Sequence, residues 1–209
     1  GHCRRVPELT LMIADAASES TAPEFAEFQM NEADRYELRL ASLLHDCGKI
    51  TTPVHIVEKA TKLETIFDRI DLVETRFEIL KRDLVIESMK SASKNSDLLS
   101  ERMNRLEADL QFLKKCNYGS EFMSPSDQAE VRRISQYTWT HSNGQTLPLL
   151  SFDELRNLTI SRGTLNDEER QIINRHIDLS IEMLEKLPYP KNLSRIPEFA
   201  GGHHEKMDG

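Results

Sequence analysis

Thiols are scarce in this chain: Cys3, Cys47 and Cys116 are odd in number, far apart, and without C-x-x-C spacing. That argues against a disulfide framework or a structural zinc knuckle and for a reducing compartment. Long apolar runs are lacking as well. No stretch approaches the roughly 18 residues of a membrane-spanning helix, and no signal-peptide pattern is visible. Basic residues are in deficit, 27 Lys and Arg against 35 Asp and Glu, so a formal charge of −8 leaves no stripe for non-specific DNA binding. An anionic substrate would have to be drawn by local cations or metal ions. With 38 % hydrophobic and 30 % charged residues over 209 positions, the balance fits one helical domain, or one domain carrying an insertion.

What is there is helical periodicity. "GHCRRVPELTLMIA" opens amphipathic and without a cap, which reads as a piece of a longer protein. The spacing predicts a helix over residues 5–18 with Val6, Leu9, Ile13 and Ala17 on its buried face. "DRYELRLASLLHDCGK" predicts a second helix, burying Leu38, Ala41 and Leu44 and ending at Gly48. From Leu63 through Ile66, Ile70, Val73, Phe77, Leu80 and Leu84, and again from Leu99 to Leu113, apolar residues alternate by three and four. This is heptad patterning. It fits two helices paired as an antiparallel hairpin about the polar "SASKNSD", or one continuous arm that dimerises. Asn143-Gly144 marks a turn or small hairpin within a loop-rich stretch. "TLNDEERQIINRHIDLSIEMLEKLP" predicts one capped helix, with a stripe of Ile172, Ile173, Ile177, Ile181 and Leu184. A last helix begins near Ser194.

The chemistry lies in "LLHDCGK", in His176, and in "GGHHEKMDG". His45 beside Asp46 offers a neutral nitrogen and a carboxylate able to bridge two cations, and Lys49 follows where it could meet a phosphate. A helix C-terminus would favour His45 even without function, and Gly48 would serve as its stop. A lone helical histidine such as His176 is more often a hydrogen-bonded boundary residue than a ligand. His203 and His204, adjacent on a helix, should diverge by about 100° and serve two neighbouring ions rather than one. His55 and His141 have no partner pattern and read as surface residues. Taken together, His2, His45, Asp46, His176, His203 and His204 come from helical segments far apart in sequence that can converge. Histidine plus carboxylate without thiolate suits Fe, Mn or other first-row divalent ions. Two or three such ions would activate water and clamp a phosphoryl group.

These segments resemble the HD-GYP family, a branch of the HD-domain metal-dependent phosphohydrolases. "GHCRRV" is similar to the family's first-helix histidine segment, and "LLHDCGKITTP" to its HD-x-GK-x-x-x-P segment. "GTLNDEERQIINRHIDLS" is similar to a ligand-bearing helix, and "IPEFAGGHHEKMDG" to the start of HHE-x-x-DG-x-GYP. The resemblance covers roughly residues 1–62 and 160–209. It implies an all-α, HD-type helical bundle with an inserted long helical hairpin, divided as residues 1–61, 62–160 and 161–209.

It further implies a cyclic di-GMP phosphodiesterase holding two or three divalent ions, Fe or Mn, as the output domain of a bacterial signalling protein. The metal ligands would be His2, His45, Asp46, His176, His203 and His204. Asp46 and Lys49 would serve catalysis, Lys49 would contact the substrate phosphate, and Glu205 and Asp208 would support the ligands from behind. The family's pattern also includes a glutamate before the first histidine and an aspartate beyond GYP, so the 209-residue piece alone is expected to be weakly active or inactive. The competing reading is a degenerate module that binds a cyclic dinucleotide or a partner without cutting it and dimerises through the hairpin. The expected location is cytoplasmic, with any membrane attachment upstream.

Overall fold

The computed structural model describes residues 2–90, 96–119 and 122–206, excluding the side chains of His2 and Cys3. In chain order the elements are α1 (His2–Ser18), α2 (Glu32–Leu44), a 3-10 turn at Cys47–Thr51, α3 (Val54–Val57), α4 (Ile70–Lys90), α5 (Ser96–Asn117) and α6 (Pro125–Ile134). They continue with β1 (Thr138–Thr140), β2 (Thr146–Pro148), α7 (Phe152–Leu158), α8 (Asp167–Asn174), α9 (His176–Glu185) and α10 (Ile196–Gly201). The fold is all-α, a helical bundle with a long helical hairpin within the sequence. Its contacts fall into two compact units, Gly1–Pro53 with Gln171–Gly209, and Val54–Arg170. Among the described residues no helix is long and apolar enough to cross a membrane.

In the first unit α2 begins at a capping box: Asn31 accepts from the Ala33 and Asp34 backbone N–H groups, and Asp34 accepts from Asn31 in return. α2 packs on α1 and α10, and α9 packs on α10 and on the turn after α2. Ala41, Leu184, Ile196 and Ala200 form the buried centre. The alanines let α2 and α10 approach closely.

Here the sequence expectations shift in phase. On α1 the buried residues are Pro7 and Ala14, while Leu9 and Ile13 are 56 % and 71 % exposed. Periodicity gave the helix correctly but assigned the inner face to its larger side chains, whereas α2 accepts only smaller ones there. The expected single helix over 164–187 is two. Arg175 separates α8 from α9, and the buried line of α9 is His176, Ser180 and Leu184. Ile172 of the expected stripe is exposed.

In the second unit α4 and α5 form the hairpin. Ion pairs Glu74–Lys114 (2.8 Å), Lys81–Glu107 (2.7 Å) and Glu87–Arg102 (3.5 Å) descend one helix as they climb the other, which fixes the antiparallel sense. The "SASKNSD" bend lies largely outside the described residues. Val73, Phe77 and Leu84 meet Leu106, Leu110 and Leu113 in one core with Val131, Ile134, Leu149 and Leu158. The heptad does not extend back to Ile66. That residue is 98 % exposed in a loop closed by the bridge between Glu64 and Asp68, and α4 starts only at Ile70. β1 and β2 pair antiparallel about a turn in which Gly144 has φ +84°, a value that favours glycine. α6 and α7 had no counterpart in the sequence expectations. Each is announced by a serine capping box, Ser124 with Asp127 and Ser151 with Glu154.

Candidate metal centre

Three segments of the first unit each present a histidine in the same way. His45 follows the last turn of α2, is 6 % exposed, and its Nδ1 lies 2.7 Å from the Ser42 carbonyl. His176 opens α9, is 3 % exposed, and its Nδ1 lies 2.5 Å from the Ile173 carbonyl. His203 sits on the 3-10 turn Gly202–His204 with Nδ1 2.6 Å from the Ala200 carbonyl. In every case the acceptor is the carbonyl three residues upstream. A neutral imidazole that donates from Nδ1 carries its lone pair on Nε2. Helix geometry thus fixes both the tautomer and the direction of the ligand atom.

Those Nε2 atoms converge on one carboxylate. His45 Nε2 is 3.2 Å from Asp46 Oδ2, while His176 and His203 Nε2 lie 3.3 and 3.7 Å from Asp46 Oδ1. Lys49 donates to Oδ2 at 2.8 Å. His204 adds its Nε2 at 3.3 Å from that of His176. The ligand atoms of His176, His203 and His204 all lie within 4.8 Å of one another. His203 and His204, expected to diverge by about 100° and to serve two ions, stand with their ring centroids 4.2 Å apart and their ligand atoms within 4.8 Å of each other.

The donor set fits a divalent cation. Imidazole lone pairs facing carboxylate oxygens repel unless a positive charge lies between them. The His176–His204 nitrogen separation is also close to the edge of a tetrahedron with bonds of about 2.1 Å, roughly 3.4 Å. Burial lowers the pKa of His203 and His204, aided by neighbouring imidazoles, which keeps both rings in the neutral, ligating form. For Asp46 burial pushes upward, but the Lys49 hydrogen bond and the adjacent His45 and His176 outweigh it and hold the carboxyl below its usual range.

Beside the cluster opens a cleft of about 690 Å³ walled by Val6, Thr10, Leu38 and Phe199, with Lys49, Glu198 and Glu205 on its polar side. Of the expected site residues, the structure brings together His45, Asp46, Lys49, His176, His203 and His204. Glu205 is exposed and lines the cleft. The His2 side chain and Asp208 lie outside the described residues. Sequence reading missed Ser180 and Glu37, both buried polar residues of this unit. Ser180 could have been found as the middle of a four-residue repeat, His176–Ser180–Leu184. Glu37 could have been found two turns before His45.

With this geometry in view, the family is plain. Two family models described as HD domain match the chain, one over residues 1–114 and the other over residues 140–209, and the chain belongs to the HD-domain family. HD domains bind divalent metals and are typically metal-dependent phosphohydrolases. No curated protein and no solved structure matches the chain.

Proposed function

We propose that the chain is a cyclic di-GMP phosphodiesterase of the HD-GYP kind, yielding pGpG, or GMP after a second cut. The observation that carries this reading is the threefold Nδ1-to-carbonyl arrangement, which aims the Nε2 lone pairs of His45, His176 and His203 at Asp46. The adjacent histidine pair supports the narrower family assignment through its likeness to the HHE-x-x-DG segment. Two or three Fe or Mn ions held by His45, Asp46, His176, His203 and His204, and by His2, would supply water activation and polarise the phosphoryl oxygens.

The chain's own residues would do the rest. Asp46 anchors the Lys49 ammonium at 2.8 Å, and the Lys49 side chain remains 36 % exposed, so it can offer its other N–H groups to a non-bridging phosphate oxygen. Val6, Leu38 and Phe199 supply an apolar wall against which a base can lie. His45 and His176, almost wholly buried, hold their rings rigidly and exclude water from the back of the site.

Incubation of the longest natural form of the protein that contains this chain, purified, with cyclic di-GMP and Mn²⁺ or Fe²⁺ tests the reading. Turnover that is lost in His176→Ala and reduced at least tenfold in Lys49→Met supports it. Metal-bound protein that binds the cyclic dinucleotide and releases no product would make it a receptor. Metal-bound protein that neither binds nor cleaves it would dismiss the substrate.

A further inference from the structure

Glu37 is 2 % exposed, an unusual place for a carboxylate. It accepts from the Arg195 backbone N–H at 2.6 Å, from Arg195 Nε at 2.9 Å, and pairs with Arg195 Nη2 at 2.7 Å. Arg195 is the residue on which α10 starts. Asp34, one turn before Glu37, also grips the Arg195 guanidinium. This is a carboxylate closing the mouth of a helix from a neighbouring helix, with both of its oxygens engaged by Arg195.

The spacing gives the contact a purpose. Glu37 precedes His45 by eight residues, and Arg195 precedes His203 by eight residues. Eight residues of helix advance about 12 Å. The two segments run in the same sense, meeting at Glu37–Arg195 at one end and at His45–His203 at the other, where the ring centroids are 4.9 Å apart. Between these ends lie small residues, Ala41 on α2 and Ala200 on α10, 1 % exposed each. Small side chains permit close approach but do little to resist sliding. Ile196, Leu40, Leu44 and Phe199 fill the rest of the seam, and the polar end adds the directional lock against sliding.

We infer that Glu37 is a positioning residue for the metal centre: its length and its bond to the Arg195 backbone set the register of α10 on α2, and so place His203 and His204 against His45 and His176. This rests on the metal-centre reading above. The rival role is electrostatic, a negative charge that merely neutralises Arg195. The two roles rank conservative variants in opposite order. Glu37→Gln keeps the length and the acceptor for the backbone N–H while losing the charge. Glu37→Asp keeps the charge and shortens the arm by one methylene.

The experiment is titration of the 209-residue chain with Co²⁺ alone, followed by calorimetry and by visible absorption of the bound ion, with helical circular dichroism confirming each fold. Register control predicts that Glu37→Gln binds within about threefold of the parent, while Glu37→Asp loses tenfold or more and changes the ligand-field bands. Each variant decides alone: Asp at parental affinity and spectrum, or Gln losing tenfold, overturns the inference. A parent chain that binds no Co²⁺ sinks the metal-centre reading itself, an outcome distinguishable from either.

Discussion

The backbone N–H of Gly48 donates to the hydroxyl of Ser180 at 2.8 Å, 132 residues away in sequence, and both residues are buried. A Cβ on Gly48 would lie 2.2 Å from the His176 carbonyl oxygen and 2.7 Å from the Ser180 backbone nitrogen. Gly48 is therefore glycine because another backbone passes against it. The contact docks the turn that bears Asp46 and Lys49 onto the helix that bears His176, and so sets the 3.3 Å between His176 and Asp46.

Gly48→Ala should accordingly separate that pair. The expected outcome is at least a hundredfold loss of Co²⁺ affinity, with a stability loss of about 1–3 kcal/mol for the backbone shift. Ser180→Ala removes only the acceptor, leaving a buried N–H unsatisfied. It should cost about 1–3 kcal/mol by urea denaturation and roughly tenfold in metal affinity. Parental affinity in Gly48→Ala would show that the contact does not hold the site.

A divalent ion that binds the folded cluster and not the unfolded chain must stabilise the fold. At a free concentration one hundred times its dissociation constant, the gain is about 2.7 kcal/mol. Mn²⁺ or Co²⁺ should therefore raise Tm, and EDTA should reverse the rise. His176→Ala should abolish the response. His141→Ala, in the exposed hairpin turn of the other unit, should leave it intact. Equal responses from both variants would place the ion elsewhere.

The residues of this cluster were legible because their chemistry is local: HD-x-GK and the paired histidines announce themselves within a few positions. What could not be read was phase. Leu9 and Ile13 outrank Pro7 and Ala14 in hydrophobicity, yet the latter pair faces inward, since close helix packing rewards small volume as well as apolar surface. Ile66 matched the heptad by spacing alone, while the hydrogen bonds of Thr61 and Glu64 bind its segment into a loop. The close approach of the His203 and His204 rings has no composition signal. Ser180 and Glu37 act across long sequence separations, so no local pattern announces either partner.

Acid should loosen the second unit through Glu154. Burial pushes the Glu154 pKa upward, but two bonds from the Arg76 guanidinium, at 2.7 and 3.1 Å, and the Ser151 backbone N–H outweigh it and hold it below the ordinary 4.5. A carboxyl whose folded value is depressed contributes stability that is complete above the unfolded value and is lost as pH falls through the folded one. Unfolding followed by urea at successive pH values should thus show a decline beginning near pH 4.5. Glu154→Gln should remove that component of the slope and, by stranding Arg76, cost about 3–5 kcal/mol at neutral pH. An unaltered slope would assign the acid sensitivity to other carboxylates.

Phe77 separates the two geometries that heptad spacing left open. A dimerising arm would present its stripe to a second chain, whereas Phe77 and Val73 are fully buried within their own unit, against α5 and the residues around Leu149 and Leu158. Phe77→Ala should then behave as a core truncation, losing about 3–5 kcal/mol from the unit that contains the hairpin. The oligomeric mass measured by light scattering should not change, because the side chain never reaches a partner. Charge at the same position, Phe77→Asp, should unfold the hairpin rather than dissociate an assembly. A folded Phe77→Ala protein with a lower mass than its parent would return these helices to the role of an association surface, with exposed Ile86, Met89 and Leu98 as the next residues to change.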